Sequence, residues 1–223
     1  MISQSKIFEV YESSENGKRK LYTINLTPGK SVYGERLVVE NGKEYREWDP
    51  YKSKLSSAIL KGSLNIFIRK NDVVLYLGAS TGTTVSHVSD IVGSEGFVFA
   101  VDSAPRVMRE LMFLCYDRKN TAPILTDASQ IKNLLPRISQ ADVVYQDVAQ
   151  KFQLEIFLKN ADAFLKKGGY GILAVKSRSI DVIKKPKEIF KIVKTELEKH
   201  LTIIDYRELD PFQKDHAIFF CKK

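Results

Sequence analysis

Residues 73–84 (Val-Val-Leu-Tyr-Leu-Gly-Ala-Ser-Thr-Gly-Thr-Thr) constrain the fold more than any other segment of the chain. A largely apolar run, typical of a buried parallel strand, leads directly into a turn that contains Gly78 and Gly82. Glycine lets the backbone turn sharply and approach a ligand closely, and the threonines that follow suit the start of a helix. A strand buried on both faces needs helices above and below it, so this unit predicts an α/β sheet.

Similar units recur through the larger part of the chain. Apolar runs predict strands at 97–101, 142–145 and 170–175, with weaker ones at 123–125, 201–204 and 217–221. An amphipathic helix opens at Pro105, and Lys166-Lys167-Gly168-Gly169 predicts the end of another helix with the lysines in its last turn. Strands that alternate with helices are typical of a doubly wound, Rossmann-like α/β fold.

The first part of the chain has a different pattern, that of antiparallel strands. Strands are predicted at 6–12, 20–26, 36–40 and 44–48. Asn16-Gly17 and Asn41-Gly42 lie between such runs, and Asn-Gly favours a two-residue hairpin turn because both residues tolerate a positive φ. Because Asp49-Pro50 marks a boundary, the sequence predicts a small N-terminal β-domain at 1–53 and a Rossmann-like domain at 54–223.

Composition and charge limit the cellular location and the kinds of partner that we expect for this protein. The formal net charge is +8, and most of the excess lies after residue 53. A basic surface attracts polyanions, nucleic acid above all, although many basic proteins bind none. The two cysteines, Cys115 and Cys221, lie far apart, which excludes a disulfide scaffold or a zinc ribbon. No apolar run reaches the ~18 residues of a membrane helix and no signal peptide is visible, so we expect a cytoplasmic protein.

Polar residues end the predicted strands in the order that a nucleoside-binding fold needs. Asp102 ends the strand after the glycine turn, where a carboxylate can accept both hydroxyls of an adenosine ribose. Asp127 and Ala128 follow the third strand, where they could hold the adenine edge. Taken alone, the glycines fit an ordinary βα turn equally well, but the three strand ends together favour a nucleoside-containing cofactor.

The kind of cofactor does not follow from the general patterns. The dinucleotide pattern Gly-x-Gly-x-x-Gly fails at Ser80. The general methyltransferase pattern, with an acidic residue two positions before the first glycine, fails at Tyr76. The turn is therefore typical of a narrower group of proteins than either of these two classes.

Two further strand ends carry groups that suit proton chemistry. Asp147 follows the strand at 142–145, and Lys176 follows the strand at 170–175. We expect the two to form an ion pair, and partial burial would lower the pKa of the lysine towards the range of a general base. His216 precedes the last strand and Lys54 opens the first helix. Each also has a structural interpretation, as a helix cap for Asp147, a solvated strand end for Lys176 and a hydrogen-bonded structural histidine for His216.

Five segments together resemble the fibrillarin family, particularly its archaeal form. They are residues 76–87 (Tyr-Leu-Gly-Ala-Ser-Thr-Gly-Thr-Thr-Val-Ser-His), 104–110 (Ala-Pro-Arg-Val-Met-Arg-Glu), 44–54 (Glu-Tyr-Arg-Glu-Trp-Asp-Pro-Tyr-Lys-Ser-Lys), 147–150 (Asp-Val-Ala-Gln) and 210–216 (Asp-Pro-Phe-Gln-Lys-Asp-His). The resemblance covers essentially the whole chain. It implies a Rossmann-like S-adenosylmethionine-dependent methyltransferase that methylates the ribose 2′-OH of rRNA and tRNA within a box C/D ribonucleoprotein. The Gly-Arg-rich extension of the eukaryotic, nucleolar members is absent, which fits an archaeal chain.

The same resemblance assigns residues to the cofactor. S-adenosylmethionine would contact Gly78, Ala79, Thr83, Thr84, Asp102, Ser103, Asp127, Ala128, Asp147, Val148, Ala149 and Gln150. The family commonly has Glu-Phe where this chain has Asp102-Ser103. The shorter acid still reaches the ribose hydroxyls, but we expect an apolar contact beside the adenine to be lost.

The family's Lys-Asp-Lys-His set maps onto Lys54, Asp147, Lys176 and His216. We expect Lys176 to act on the 2′-OH while Asp147 holds it, and Lys54 and His216 to position the substrate. No metal is expected.

Basic residues beyond Lys176 predict an RNA-binding surface. Arg178, Lys184 and Lys185 are placed to hold phosphates close to the reacting ribose, whereas 191–199 is interpreted as a solvated helix face. No sequence-reading RNA motif is visible, so the target must be chosen elsewhere. By resemblance, the partners would be a box C/D guide RNA with its target RNA, a Nop-domain scaffold protein bound directly and a kink-turn-binding ribosomal-type protein, with no membrane. Two alternatives stay open: a protein (glutamine) methyltransferase of the same fold, and a non-catalytic assembly subunit.

Overall fold

The computed structural model describes residues 1–223 and contains two β-sheets. The first sheet is antiparallel, with strand order β1-β2-β3-β5-β4. Its strands are β1 (Ser3–Gln4), β2 (Tyr11–Glu15), β3 (Lys18–Ile24), β4 (Leu37–Glu40) and β5 (Lys43–Glu47). Asn16-Gly17 and Asn41-Gly42 form the two hairpin turns, and all four residues have positive φ, as the Asn-Gly pattern predicts.

The strand predicted at 6–12 is wrong for most of its length. Residues 5–10 form a turn in which the Ser5 amide donates to the Val10 carbonyl, and strand pairing resumes only at Tyr11. Ile7 and Val10 are both buried in the same core, and Glu9 between them has a φ of 54°. Apolar residues that hold a turn in the core look like a strand in the sequence. Both kinds of segment are apolar because they are buried, and no alternation of apolar and polar residues is needed to produce the pattern.

The second sheet has seven strands in the order β11-β12-β10-β9-β6-β7-β8. Its strands are β6 (Val73–Leu77), β7 (Phe97–Asp102), β8 (Thr121–Leu125), β9 (Ala141–Gln146), β10 (Leu165–Lys176), β11 (Thr202–Glu208) and β12 (His216–Lys222). The helices are α1 (Lys54–Leu60), α2 (Thr83–Val92), α3 (Pro105–Asp117), α4 (Ile131–Leu134), α5 (Gln153–Phe164), α6 (Ser177–Ile180) and α7 (Pro186–Leu197). Every predicted α/β strand is present, and β6 to β10 are parallel while β12 is antiparallel to both β10 and β11. No helix is both long enough and apolar enough to span a bilayer.

The predicted end of α5 is wrong in its detail. The helix ends at Phe164, and the lysines and glycines at 166–169 belong to β10 instead of the last helical turn. Leu165 already pairs with Ala141 of β9, and the register then shifts before Tyr170 pairs with Val143. Lys166 donates to the Asp142 carboxylate at 2.6 Å, which draws this segment towards β9 rather than towards the helix end.

The first sheet packs directly on the α/β part through a shared core. Leu21 and Trp48 belong to the same buried apolar cluster as Val85 and Val88 of α2. Helix α1 begins at Lys54, and the division into two domains after residue 53 stays a prediction.

A buried polar network crosses the same contact. Arg46 forms ion pairs with Glu35 at 2.6 Å and with Asp90 at 2.8 Å, and Asp90 also pairs with Arg118 at 2.6 Å. His87 of α2 bonds to the Thr23 hydroxyl at 2.8 Å and stacks on Trp48. Its other ring nitrogen, Nε2, accepts from the Tyr33 hydroxyl at 2.7 Å, and that hydroxyl also lies 2.9 Å from the Glu47 carbonyl. This network fixes the segment that leads from Trp48 to Lys54.

Candidate active site

The site lies where the strand order of the large sheet reverses. The chain runs from β6 outwards to β7 and β8, then returns to the other side of β6 with β9 and β10. In open α/β sheets ligands bind in the crevice outside the carboxyl ends of the strands at such a point. A cavity of about 270 Å³ opens there. Its lining residues are Gly78, Ser80, Val101, Asp102, Ser103, Thr126, Ala128, Asp147, Val148, Ala149 and Gln150.

Gly78 lets the turn after β6 lie flat against the segment after β9. It has a φ of 84°, and a Cβ at this position would collide with the carbonyl oxygen of Asp147. The Gly78 amide donates to the Val101 carbonyl at 2.9 Å, which holds the turn against β7. A side chain here would both strain the backbone and force the two walls of the cavity apart.

The Asp102 carboxylate is fixed at the cavity wall by two backbone amides. Ser80 donates to one oxygen at 2.7 Å and Ala104 to the other at 2.9 Å. An ionised carboxylate offers about four lone-pair positions, so acceptor capacity remains for two further donors. This is the arrangement that vicinal ribose hydroxyls require.

The structure brings together some of the predicted cofactor residues but not all of them. Those that line the cavity are Gly78, Asp102, Ser103, Ala128, Asp147, Val148, Ala149 and Gln150, and those that do not are Ala79, Thr83, Thr84 and Asp127. Thr84 is buried and its hydroxyl donates to the Ser53 hydroxyl at 3.0 Å, so it ties α2 to the segment before Lys54. Asp127 accepts from the Ser129 amide in an exposed turn.

Three further residues, which the sequence did not predict as site residues, line the cavity: Ser80, Val101 and Thr126. Each neighbours a residue that the sequence did predict. Their positions at strand ends could have identified these residues. Their residue types did not, because none of the three is charged.

The expected ion pair between Lys176 and Asp147 is wrong, because Lys54 takes that place. Lys54 Nζ lies 2.7 Å from Asp147 Oδ2, with side-chain exposures of 18% and 24%. Lys176 forms no ion pair in the structure and is exposed. The hydrogen bond between Thr84 and Ser53 joins the first turn of α2 to the residue before α1, and Lys54 then reaches Asp147 just beyond β9, a contact that strand order alone does not reveal.

Lys176 and His216 meet across the sheet. They are register partners at the carboxyl end of β10 and the amino end of β12. His216 Nδ1 bonds to the Lys214 carbonyl at 2.6 Å, and since a carbonyl only accepts, Nδ1 carries the proton and Nε2 holds the lone pair in the neutral ring. Partial burial lowers the pKa of His216, and the Lys54 and Lys176 charges act in the same direction against Asp147. All four predicted residues therefore form one cluster, in which the histidine is neutral at pH 7.

The predicted RNA-binding residues lie in the segment of chain that follows Lys176. Lys184 and Lys185 are exposed in the loop before α7. Arg178 is partly engaged within the protein, since its Nε bonds to Asp215 at 3.2 Å and its Nη1 donates to the Val182 carbonyl at 2.7 Å. It thereby connects the loop with the residue that precedes His216, and its remaining N–H donors are free for phosphate.

The strand order of the large sheet and the position of this crevice are those of the S-adenosylmethionine-dependent methyltransferase fold. The structure of such a methyltransferase from Aquifex aeolicus superposes with a TM-score of 0.54 at 15% identity, over 78% of this chain and 89% of that one. The model of the fibrillarin family matches residues 1–223, and the chain belongs to the fibrillarin family. The predicted fold class and the resemblance to fibrillarin are thus confirmed.

Individual relatives are similar over nearly their whole length. The fibrillarin-like rRNA/tRNA 2′-O-methyltransferase of Methanocaldococcus jannaschii is 48% identical over 98% of this chain and 96% of its own. Aeropyrum pernix fibrillarin, solved with natively bound S-adenosylmethionine, has a TM-score of 0.91 at 43% identity, covering 99% and 97%. Fibrillarin in a solved fibrillarin/Nop5p complex has a TM-score of 0.86 at 40% identity, covering 96% and 97%.

Proposed function

We propose that this chain transfers a methyl group from S-adenosylmethionine to a ribose 2′-OH of rRNA or tRNA, as the catalytic subunit of a guide-directed box C/D ribonucleoprotein. The observation that carries the proposal is the cluster of Lys54, Asp147, Lys176 and His216 at the edge of the cavity that Asp102 lines. The Methanocaldococcus jannaschii relative supports the proposal, because its name states the same activity and the similarity covers nearly its full length.

The cavity fits S-adenosylmethionine. Asp102 would accept the two ribose hydroxyls, and Thr126 and Ala128 would lie at the adenine. The flat wall at Gly78, which no other residue could form, would leave room along the main chain of 147–150. The A. pernix relative holds the same cofactor.

Residues of this chain would act on the ribose hydroxyl that accepts the methyl group. Bound S-adenosylmethionine supplies an electrophilic methyl group on its sulfonium. A ribose hydroxyl is a weak nucleophile at neutral pH, so the site must orient the oxygen and accept its proton. We place Lys176 on the 2′-OH, because it is the lysine of the cluster that no carboxylate holds in its charged form; as the neutral amine it accepts the hydroxyl proton while the oxygen takes the methyl group. Lys54 holds Asp147 in place, and neutral His216 offers its Nε2 lone pair to the substrate side.

The loop before α7 would bind the RNA backbone next to the reacting ribose. Lys184, Lys185 and the free N–H groups of Arg178 supply the positive charge. Because no base-reading element is present, guide RNA would select the target. A Nop-domain protein would bind directly, as the fibrillarin/Nop5p complex supports, and a kink-turn-binding protein would complete the particle. We place this assembly in the cytoplasm.

The test is transfer of labelled methyl from S-adenosylmethionine to a target RNA. The chain, a guide RNA, the scaffold protein and the kink-turn protein are assayed together, with the chain alone in parallel. We expect product at the guide-specified 2′-OH in the full mixture, and a loss of transfer with assembly intact for Lys176→Ala. Lys191→Ala, which removes an exposed lysine on α7, is the matched control and should retain activity.

Two results would contradict the proposal. If the wild-type chain assembles into the particle but labelled methyl reaches neither RNA nor protein, the chain acts as an assembly subunit. If labelled methyl appears only on an added protein acceptor and not on RNA, the chain is a protein methyltransferase of the same fold.

A further inference from the structure

Gln153, the first residue of α5, uses its whole side-chain amide to hold the main chain around the site. The residue is fully buried. Its Nε2 donates to the Lys176 carbonyl at 3.1 Å and to the Gln150 carbonyl at 3.0 Å. Its Oε1 accepts from the Lys176 amide at 3.1 Å. One side chain thus binds both main-chain groups of Lys176 and, at the same time, a residue of the cofactor cavity.

The sheet leaves the main chain of Lys176 in need of such a partner. Pairing between β9 and β10 ends at Gln146 and Leu173. Beyond that point the chain turns away, and the Asp147 amide donates to the Leu77 carbonyl of β6 instead. The two strands therefore separate to form the crevice, and the side of β10 that faces β9 has no strand to bind at Lys176. Gln153 provides these hydrogen bonds in place of a strand.

A second buried amide holds Gln153 itself. Gln146, the last residue of β9, donates from Nε2 to the Gln153 carbonyl at 2.6 Å and is also fully buried. The connection thus runs from the end of β9, through the start of α5, to the end of β10. The Gln146 Oε1 atom has no partner, but the side-chain amide of Gln153 is fully hydrogen-bonded, and because unpairing its buried groups would be costly, Gln153 is held in one geometry.

We propose that Gln153 is a positioning residue, which sets Lys176 at a fixed place relative to the cavity wall at Gln150. This inference rests on the proposed function, in which Lys176 acts on the 2′-OH. Glutamine is the residue that fits, because the site needs two donated hydrogen bonds and one accepted bond from the same planar group. A displacement of a reacting group by about 1 Å is enough to slow a reaction by about 100-fold.

The test compares Gln153→Met with Asn120→Leu in the assembled particle. Methionine has nearly the same shape but makes none of the three hydrogen bonds. Asn120 is the matched control: it is buried, and its amide donates to the Ser89 and Gly93 carbonyls, away from all four residues of the cluster. Single-turnover methyl transfer is measured for each variant, alone and combined with Lys176→Ala.

If Gln153 acts through Lys176, Gln153→Met should slow transfer by about tenfold or more in the wild-type background and should not lower further the residual rate that Lys176→Ala retains. Asn120→Leu should lower the melting temperature and leave the rate within about twofold. An unchanged rate for Gln153→Met, or the same loss with and without Lys176, would overturn the inference.

Amide hydrogen exchange of the isolated chain separates this inference from the proposed function. The Lys176 amide should exchange faster in Gln153→Met than in Asn120→Leu, because its acceptor is gone. If the wild-type particle transfers no methyl to RNA, the proposed function fails. The exchange rate then decides the positioning claim alone, and unchanged protection of the Lys176 amide would overturn it.

Discussion

Lys54 Nζ and Asp147 Oδ2 lie 2.7 Å apart, although the two residues are 93 positions apart in the sequence. The pair joins the start of α1 to the end of β9, at the rim of the cavity. It neutralises the one carboxylate of the catalytic cluster, so Lys176 remains without an anionic partner. The two lysines therefore have different tasks, which residue type alone does not distinguish.

Lys54→Ala and Asp147→Ala should each slow methyl transfer by about 10²-fold, because each removes the partner that orients the other. The double variant should lose no more than the worse single variant, since both changes break one interaction. The pair is partly exposed, so each single change should cost less than about 1 kcal/mol in the free energy of unfolding. Single-turnover rates and thermal melts measure the two effects. Losses that multiply in the double variant would show independent roles.

Asp102→Asn should weaken S-adenosylmethionine binding by about tenfold or more, because hydrogen bonds to a charged acceptor are worth about 1.5–3 kcal/mol. Asparagine keeps one acceptor oxygen but replaces the other with a donor. Asp127→Asn is the matched control, since Asp127 follows the next strand yet does not line the cavity. Titration calorimetry gives both affinities. Equal losses in the two variants would contradict the cavity as the cofactor site.

Gly78→Ala should abolish cofactor binding and lower stability, because its Cβ would collide with the Asp147 carbonyl. Gly34→Ala is the control for backbone strain alone: it has a φ of 79°, and nothing lies within 4 Å of the added carbon. That variant should cost about 1–2 kcal/mol and bind cofactor normally. Melting temperatures with and without cofactor distinguish the two effects. Equal behaviour of both variants would show that the close approach at Gly78 is unimportant.

The sequence predicts the α/β strands closely, because a strand buried on both faces must be an apolar run. Val73–Leu77 is identical in prediction and structure. The same rule failed at residues 6–12, where Ile7 and Val10 are buried for the sake of a turn. Apolar composition therefore identifies what is buried, and identifies a strand only where the buried run is also extended.

The site residues were predictable in type but not in pairing. Asp147 and Lys176 end adjacent strands, so proximity follows from the topology. The partner of Asp147 instead comes from α1, whose position depends on hydrogen bonds such as that from Thr84 to Ser53. Gln153 had no signal in the sequence at all, because an amide directed at the main chain has no motif.

Stability should fall as the pH drops below about 6.5, and His87 should be a main cause. Burial lowers the pKa of His87 well below its ordinary value, and the Arg46 and Arg118 charges add to this effect. The unfolded state then binds a proton that the folded state does not, so the stabilisation is complete above the unfolded pKa and is lost as the pH falls towards the folded pKa. The slope is at most about 1.4 kcal/mol per pH unit for one proton. Urea unfolding between pH 5 and 7 measures it. His87→Gln should flatten this dependence and His200→Gln, at an exposed site, should not; an equal slope in all three proteins would rule out His87.

Asp90→Asn should destabilise the contact between the first sheet and α2 more than any change on the surface. Asp90 accepts from Arg46, Arg118 and Thr23 and from the Leu26 amide, and its side chain is fully buried. Asparagine would leave two buried guanidinium groups without their shared anion, and breaking a buried ion pair on one side costs about 3–5 kcal/mol. Glu155→Gln, in the exposed pair with Lys159, should cost less than about 1 kcal/mol. Urea unfolding at pH 7 gives both values. The same network fixes the segment from Trp48 to Lys54. Asp90→Asn should therefore also slow methyl transfer under conditions in which the variant is still folded. A variant that is less stable but fully active would show that Lys54 is held by α1 alone.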